Sequence, residues 1–225
     1  MNPGSGNKPI TYVSWFDAAR FCNWVQNGQG SGGTETGAYT LNGAMSGIHT
    51  KNAGATTWIP SENEWYKAAY YDPNKGGAGV GGYWPYSTLS NTLAGNTIGV
   101  ANSANYNDGD FASSPGRLTD VGAYGANSDS FYGTNDQSGN VYEWNDTVEA
   151  VLYRGLRGGS WYFNANLLDS SSSRDYNSPT GESNLGGFRV ASSELAAVPE
   201  VTSSFTLLGL ISSGLLLRRR TKTLR

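Results

Sequence analysis

The segment from Asp136 to Glu143 has the composition of a cation-binding turn. It reads DQSGNVYE, with a carboxylate at each end and a glycine between them. Calcium binds about six to eight oxygens, which carboxylates and backbone carbonyls supply together. Two carboxylates around a turn that glycine permits can provide this mixture, so the pattern predicts a calcium site. The alternative is a plain turn in which Glu143 makes a structural hydrogen bond.

Other side chains that could perform chemistry are scarce. The chain has a single His, His49, and a single Cys, Cys22. These counts exclude multi-His metal sites, Cys-rich zinc sites and an internal disulfide. A Ser-His-Asp triad would have to use His49, and no G-x-S-x-G motif accompanies it. A carboxylate pair for glycoside hydrolysis stays open, although no spacing among the 18 acidic residues singles one out.

The composition describes a folded chain with an acidic body. The 225 residues include 31 Gly, 12% aromatic residues and only 15% charged residues, and the formal net charge is −3. Few charges with many aromatics exclude a disordered chain, and Gly without a three-residue period excludes collagen. All 18 acidic residues lie within residues 1–200. Because nucleic-acid binding requires basic surface, we expect no nucleic-acid partner.

The C-terminal segment has the pattern of a membrane or sorting signal. Residues 202–217 are uncharged and are followed directly by three arginines. As a helix this stretch would be about 24 Å long, which is short against a bilayer core of about 30 Å, and a buried amphipathic helix is the alternative. Basic flanks stay on the cytoplasmic side of a membrane. We therefore predict an apolar transmembrane or sorting helix at 202–217 and a basic cytoplasmic tail at 218–225.

Residues 195–201 are expected to form a linker that carries a sorting motif. They contain Pro199 and Glu200, followed by Val201. Order, spacing and position resemble the PEP-CTERM sorting signal of Gram-negative bacteria, with Val201 in place of its second proline. The resemblance implies an exosortase as a processing partner, and an exported protein at the cell envelope or extracellular surface. Since the first residues lack a basic region followed by an apolar run, we expect the export signal to lie upstream of Met1.

Two helices are predicted from their caps and from the spacing of apolar residues. Capping boxes begin at Ser14 and Ser61 and predict helices over residues 14–26 and 61–71. The long segments between the predicted elements are rich in Gly, Asn and Ser, which is typical of loops. Short strands are predicted near residues 38–41, 142–144, 153–161 and 187–191.

Sequence segments in a fixed order connect these elements to a known family. They are YVSWFDAARFCNWV (12–25), IPSENEWYKAAYY (59–71), NDQSGNVYEWNDT (135–147), and LRGGSWYFN (156–164) closed by NLGGFRVAS (184–192). Together they resemble the sulfatase-modifying-factor family, which includes formylglycine-generating enzyme. The resemblance implies a loop-rich α+β variant of the C-type lectin fold over residues 1–194. Complete members have strands before the first helix, so we expect those N-terminal strands to be missing.

The same resemblance implies that the family's oxidation chemistry is lost. Formylglycine-generating enzyme oxidises a substrate cysteine with copper and oxygen, and two cysteines hold the copper. The matching positions here are Phe163 and Leu168. Copper(I) favours thiolate or thioether ligands, and Cys22 lies in a predicted helix far from them in sequence. We therefore expect no copper and a catalytically inactive domain. The alternative is an enzyme of this family with altered chemistry.

The resemblance also implies calcium as a structural cofactor and assigns its ligands. In the first site these are the side chains of Asp136 and Glu143 and the carbonyls of Gly139 and Val141. In the second site they are the Asn105 side chain and the Tyr106 carbonyl, with Asp108 or Asp110 as substitutes where the family's ligands do not align. Both sites would fix loops, so that binding energy becomes folding energy.

The segment after Gly158-Gly159-Ser160 is expected to build a ligand pocket. Its aromatic, Asn and Ser residues resemble the recognition surfaces of ligand-binding proteins on the same fold, including the variable binding proteins of diversity-generating retroelements. Trp161 is either core or pocket, and Arg189 is expected to make a structural buried pair. The predicted ligand-binding residues are Tyr162, Asn164, Asn166, Arg174 and Tyr176. Together these expectations describe an exported, surface-associated binding or structural module whose ligand is a peptide, protein or glycan.

Overall fold

Short regular elements alternate with long loops throughout the chain. The computed structural model describes residues 6–93, 95–108, 117–164 and 174–193. Within these residues the elements are α1 (Trp15–Gln26), β1 (Thr57–Trp58), α2 (Glu62–Tyr70), β2 (Tyr71–Asp72), β3 (Gly82–Tyr83), a 3-10 turn (Ala126–Ser128), β4 (Tyr142–Glu149), β5 (Tyr153–Arg157), β6 (Asp175–Asn177), β7 (Gly186–Phe188) and β8 (Ala191–Ser192). The architecture is mixed α+β, as the family resemblance implies.

Helix α1 begins at the capping box that the sequence predicts. The Ser14 hydroxyl accepts a hydrogen bond from the Asp17 backbone N–H, and the Asp17 carboxylate accepts one from the Ser14 N–H at 2.9 Å. These two bonds satisfy amide groups that a helix start otherwise leaves unpaired. The spacing of apolar residues predicts one buried face made of Trp15, Ala18, Ala19, Cys22 and Val25. The first four are completely buried and Val25 is partly buried. The predicted bounds of this helix are confirmed.

Helix α2 also begins with a capping box. Ser61 and Glu64 form a reciprocal capping box, and the helix ends at Tyr70 because Tyr71 turns to an extended conformation. The chain then runs directly into β2, which pairs with β3. Trp65 and Tyr70 are buried on the inner side of α2. The prediction of a helix from Ser61 to about residue 71 is confirmed.

The central sheet has four strands in the order β6-β5-β4-β7. Strand β5 pairs antiparallel with both β4 and β6, whereas β7 runs parallel to β4. The pairing of β4 with β5 shifts register between Trp144 and Val148. The remaining strands form two small pairs, β1 with β8 and β2 with β3.

One hydrophobic cluster joins α1 to the central sheet. The side chains of Trp15 and Phe16 from the helix pack with Tyr142, Trp144 and Leu156 from the strands. The long segment between α1 and β1 contributes buried Tyr39, Ala38 and Leu41 to the same cluster. A loop is thus part of the core, which explains how few regular elements this fold needs.

Three strand predictions are corrected by the structure. Residues 38–41 form only an isolated bridge between Tyr39 and Lys51. Strand β5 ends at Arg157, short of the predicted end at residue 161, since Gly158 and Gly159 take positive φ angles of 94° and 69°. The predicted strand at 187–191 is two strands that pair with different partners, β7 with β4 and β8 with β1.

The described residues belong to one compact unit, Met1–Glu194. The predicted linker at 195–201, the apolar helix at 202–217 and the basic tail at 218–225 lie outside the described residues. Neither helix in the described part of the chain is long and apolar enough to cross a bilayer.

Candidate functional site

A cavity of about 160 Å³ opens beside Phe163, at the first of the two positions where the family resemblance places a copper-binding cysteine. We call it the Phe163 cavity. Its apolar walls are the side chains of Val13, Tyr142, Trp144, Leu156, Phe163 and Leu185. Its polar lining residues are Asp175, Asn177 and Ser183, and two glycines, Gly181 and Gly186, complete it.

The alternation of side chains along β4 and β6 brings several of these residues together. Tyr142 and Trp144 are two residues apart on β4, and Asp175 and Asn177 are two residues apart on β6, so each pair lies on one face of its strand. The Trp144 indole N–H donates a hydrogen bond to the Val13 carbonyl at 3.0 Å. This bond ties the sheet to the segment that leads into α1, and it fixes one wall of the cavity.

The Phe163 ring packs edge-on against a wall of the cavity. Its centroid is 5.6 Å from that of Tyr142, at an interplanar angle of 65°, a geometry that aromatic pairs prefer. Burial, followed by the nearby charge of Asp175, raises the pKa of the Tyr142 phenol to about 12. The Asp175 carboxylate also accepts a hydrogen bond from the Tyr176 backbone N–H at 2.8 Å. The cavity therefore combines apolar walls with a carboxylate on the exposed edge strand.

The residues do not fit a copper ion. Phe163 has no atom that binds a soft metal, and Leu168 lies outside the described residues. Cys22 is completely buried in the hydrophobic cluster, and burial raises the pKa of its thiol to about 12. The thiolate is the form that binds metals, so Cys22 is a small buried hydrophobic residue of α1 rather than a metal ligand.

The predicted ligand-binding residues are divided between two places. Tyr176 on β6 and Arg174 directly before this strand are both exposed. They alternate with Asp175 and Asn177, which line the Phe163 cavity, so they lie on the opposite face. Arg174 forms an ion pair with Glu149. The Tyr176 ring contacts that of Tyr153, with centroids 5.5 Å apart.

The segment after the glycine pair shows a gradient of exposure. Trp161 is buried and belongs to the protein interior, whereas Tyr162 is 48% exposed. Asn164 is exposed, and Asn166 lies outside the described residues. The Tyr162 ring contacts the Phe163 ring at a centroid distance of 5.3 Å. Tyr162 therefore lies next to a lining residue of the Phe163 cavity.

The two carboxylates of the predicted calcium turn, Asp136 and Glu143, line one cavity of about 320 Å³ together with Arg189. Both Glu143 oxygens already have donors. Trp65 Nε1 donates to Oε2 at 2.6 Å, and Arg189 Nη2 donates to Oε1 at 2.6 Å. The predicted structural pairing of Arg189 is confirmed, and the interpretation of Glu143 as a hydrogen-bonded structural group has direct support.

Asp136 is less completely satisfied than Glu143. Its carboxylate accepts a hydrogen bond from the Gly122 N–H at 2.7 Å. Burial raises its pKa, and the hydrogen bond from Gly122 and the charge of Arg189 oppose this shift. Between the two acids, Gly139 approaches the backbone of Asn105 closely enough to form an isolated parallel bridge. Val141, the other predicted carbonyl ligand, is buried.

The side chain of Asn105 contains an orphaned acceptor. Its amide nitrogen donates to the Arg117 carbonyl at 2.6 Å and to Asn140 Oδ1 at 3.1 Å. Its carbonyl oxygen is buried and has no hydrogen-bond partner among the described residues. The Tyr106 carbonyl accepts a hydrogen bond from Asn96 at 3.2 Å.

Only one of the two possible substitute ligands for the second calcium site, Asp108 and Asp110, is among the described residues. Asp108 is exposed, and Asp110 lies outside the described residues. Among the described residues, no group of three His, Cys, Asp or Glu side chains converges as a metal site would require. A calcium ion here would therefore depend on amide and backbone oxygens as well as on carboxylates.

The sequence did not indicate the polar side of the Phe163 cavity. Strand β6 is only three residues long, Asp175–Asn177, and all three are exposed. A pattern of alternation cannot be recognised over so short a segment. The only signal was the composition after Gly158-Gly159-Ser160, which indicated a pocket but not which face of the later strand would line it.

Comparison with known proteins gives a consistent result. The model of a family described as "Sulfatase-modifying factor enzyme 1-like domain" matches residues 2–194. Treponema denticola variable protein 1 is similar in structure, with a TM-score of 0.61 and 23% identity over 85% of this chain and 73% of that one. The structure of CarF has a TM-score of 0.52 and 22% identity over 84% of this chain and 69% of that one. No curated protein sequence matches significantly.

Proposed function

The chain belongs to the sulfatase-modifying factor enzyme 1-like family, and we propose that it is a non-catalytic member, a binding module that calcium stabilises. Its fold is expected to be the loop-rich variant of the C-type lectin fold that the resemblance implies. The observation that carries the proposal is the position of Phe163. Where the family resemblance requires a copper-binding thiolate, an aromatic ring packs against Tyr142 in the wall of a mostly apolar cavity.

Copper-dependent oxidation has no suitable ligands at this position. A thiolate is both the metal ligand and the electron-rich group that such a site depends on, and Phe163 supplies neither function. The only thiol of the chain, Cys22, is fully buried on α1. What Phe163 and its neighbours do provide is a small apolar space with polar groups beside it, which suits binding better than turnover.

Incubation with copper, oxygen and a peptide that carries the sulfatase cysteine motif is expected to give no aldehyde above the protein-free background. The physical reason is the absence of sulfur at Phe163. Aldehyde can be measured by trapping with a hydroxylamine probe, with an active formylglycine-generating enzyme as the positive control. Aldehyde that accumulates in proportion to the amount of this protein would overturn the non-catalytic proposal.

Asn105 and Asp136 support a structural calcium ion, whereas the existing ion pair of Glu143 limits how that residue could bind one. The unpartnered Asn105 oxygen is an amide ligand of the kind that calcium binds. Asp136 is a partly buried carboxylate whose raised pKa reflects the cost of removing its charge from water, which a divalent cation would offset. Glu143 is already paired with Arg189, so an ion at the Asp136 turn would have to share Glu143 with that cation.

Calcium at about 100 times its dissociation constant is expected to stabilise the wild-type protein by about 2.7 kcal/mol. In a domain of this size that gain corresponds to a rise in melting temperature of roughly 5–10 °C. Asp136→Asn keeps the shape of the side chain but removes its charge, so the calcium-dependent rise should largely disappear. Melting curves recorded in calcium and in chelator measure both effects.

The matched control is Glu182→Gln, which removes an exposed acid outside both predicted calcium segments. This variant should keep the full calcium-dependent rise. An equal rise in the wild type and in Asp136→Asn would remove calcium from the Asp136 turn, and the lack of any rise in the wild type would remove it from the protein.

The proposed setting of the module is the cell envelope or extracellular surface of a Gram-negative bacterium. This proposal rests on residues 195–225, where a Pro-Glu pair, an uncharged stretch and an arginine cluster follow one another. An exosortase is the proposed processing partner. A reporter fused to residues 195–225 should fractionate with membranes in a host that has an exosortase, and a reporter that stays soluble and unprocessed would contradict the proposal.

A further inference from the structure

We infer that the Phe163 cavity binds a compact apolar group that carries a primary ammonium, with the ammonium paired to Asp175. This inference rests on the proposed binding function and names the ligand class of that site. The apolar group enters between Tyr142, Trp144 and Phe163, and the charged end stays at the exposed edge strand.

The size of the cavity limits the part of a ligand that it encloses. Its volume is about 160 Å³, and an engineered apolar cavity of about 150 Å³ in another protein holds one benzene. Pockets for whole drug-sized ligands are larger, at about 300–1,000 Å³. The cavity therefore fits one phenyl or branched alkyl group, and the rest of any larger ligand remains outside.

The walls of the cavity are preformed. Trp144 is almost completely buried and is fixed by its hydrogen bond to the Val13 carbonyl, and Leu156 is buried beside it in the hydrophobic cluster. A rigid aromatic site loses little conformational entropy when a ligand enters. Binding of an apolar group is then favoured by the area that it removes from water.

The charge around the cavity selects a cation. Asp175 is the acidic lining residue, Asn177 and Ser183 add neutral polar groups, and no basic side chain is among the described residues that line the cavity. The basic side chains on and next to strands β5 and β6 are already paired, Arg154 with Asp146, Arg157 with Glu62 and Arg174 with Glu149. An ammonium can therefore pair with Asp175, whereas a carboxylate would be repelled.

Two sources could supply this chemistry, a free amine and the amino terminus of a polypeptide. Both place an ammonium within one or two carbons of an apolar group. The experiment uses phenethylamine and the peptide Phe-Gly-Gly-amide as cationic probes. N-acetylphenethylamine is the neutral probe, and 3-phenylpropionate is the anionic probe of nearly the same shape.

Calorimetric titration of the full chain should show phenethylamine binding at least tenfold more tightly than its acetylated and anionic analogues. Asp175→Asn should weaken phenethylamine about tenfold and leave N-acetylphenethylamine unchanged. Gly186→Leu should abolish binding of all probes, because Gly186 lines the cavity and has open space where a Cβ would stand. Asp120→Asn, at an exposed acid that does not line the cavity, should bind like the wild type.

Binding of both cationic probes, or of either one alone, supports the inference, and the probe that binds identifies the source of the ammonium. Equal affinity for the anionic probe, an unchanged affinity in Asp175→Asn, or no binding of any cationic probe would overturn it. Failure here is distinct from failure of the proposed function. Absent amine binding with no aldehyde formation removes only this inference, whereas aldehyde formation with amine binding removes only the non-catalytic proposal.

Discussion

Replacement of Arg154 by Met is expected to lower the free energy of unfolding by about 3–5 kcal/mol, because it leaves the largely buried carboxylate of Asp146, which is 15% exposed, without its ion-pair partner. The Arg154 side chain is only 2% exposed. Its Nη1 donates to the Asp146 carbonyl at 2.6 Å and to Asp146 Oδ1 at 3.0 Å. The guanidinium lies 3.8 Å from the centroid of the Trp15 ring, and Nη2 donates to the His49 carbonyl.

These contacts join elements that are distant in sequence. Arg154 on β5 binds the neighbouring strand, the first helix and the long loop that contains His49. Met matches the length of the side chain but donates no hydrogen bonds. The variant therefore leaves two backbone carbonyls and one carboxylate without these donors, and buried unpaired groups are costly.

The loss of stability in this variant should depend on pH. Burial raises the pKa of Asp146 to about 7, although Arg154 lowers it. A carboxyl whose folded pKa is raised destabilises the fold progressively as pH increases from its unfolded pKa to its folded pKa. Without Arg154 the folded pKa rises further, so the difference from the wild type should be larger at pH 8 than at pH 5.

Urea unfolding at pH 5 and at pH 8 measures this difference. The double variant Asp146→Asn/Arg154→Met serves as the control, because it removes the buried charge along with its partner. It should be more stable than Arg154→Met alone at pH 8. If the free energy of unfolding of Arg154→Met lies within about 1 kcal/mol of the wild-type value at both pH values, the ion pair of Arg154 with Asp146 is not needed for stability.

Local sequence signals predicted the parts of this fold that depend on local interactions. The capping boxes at Ser14 and Ser61 lie within four residues of the helices they start, so short-range chemistry was enough to place α1 and α2. The absence of the family's copper-binding cysteine at Phe163 could be recognised from the sequence, because the nearby Gly158-Gly159-Ser160 motif aligns this position with the family. The sequence predicted a structural pair for Arg189 but not its partner, which the structure identifies as Glu143.

Other features depend on tertiary contacts that no local pattern records. Arg154 binds the His49 carbonyl 105 residues away, so its burial could not be predicted from β5 alone. The lining of the Phe163 cavity depends on which face of β6 turns inward, and a strand of three residues has no readable period. The orphaned oxygen of Asn105 likewise became visible only when its neighbours were placed.

Substitution of Gly139 by Ala is expected to destabilise the protein by about 4 kcal/mol, near the upper end of single-residue effects. A Cβ at this position would stand 2.2 Å from the Asn105 carbonyl oxygen, which is backbone and cannot turn away. The two segments are also joined by the hydrogen bond from the Asn140 N–H to the same oxygen at 2.8 Å. The clash therefore has to separate the Asn105 segment from the Asp136–Glu143 turn.

Gly133→Ala is the matched control, because it separates this close approach from ordinary backbone strain. Gly139 and Gly133 have positive φ angles of 86° and 73°, but a Cβ on Gly133 would meet nothing within 4 Å. The control should lose only about 1 kcal/mol, the cost of a left-handed conformation without glycine. Denaturant unfolding of both variants measures the difference, and equal losses would mean that the contact with Asn105 is not essential. Since the contact joins both predicted calcium segments, Gly139→Ala should also lose the calcium-dependent rise in melting temperature that Gly133→Ala keeps.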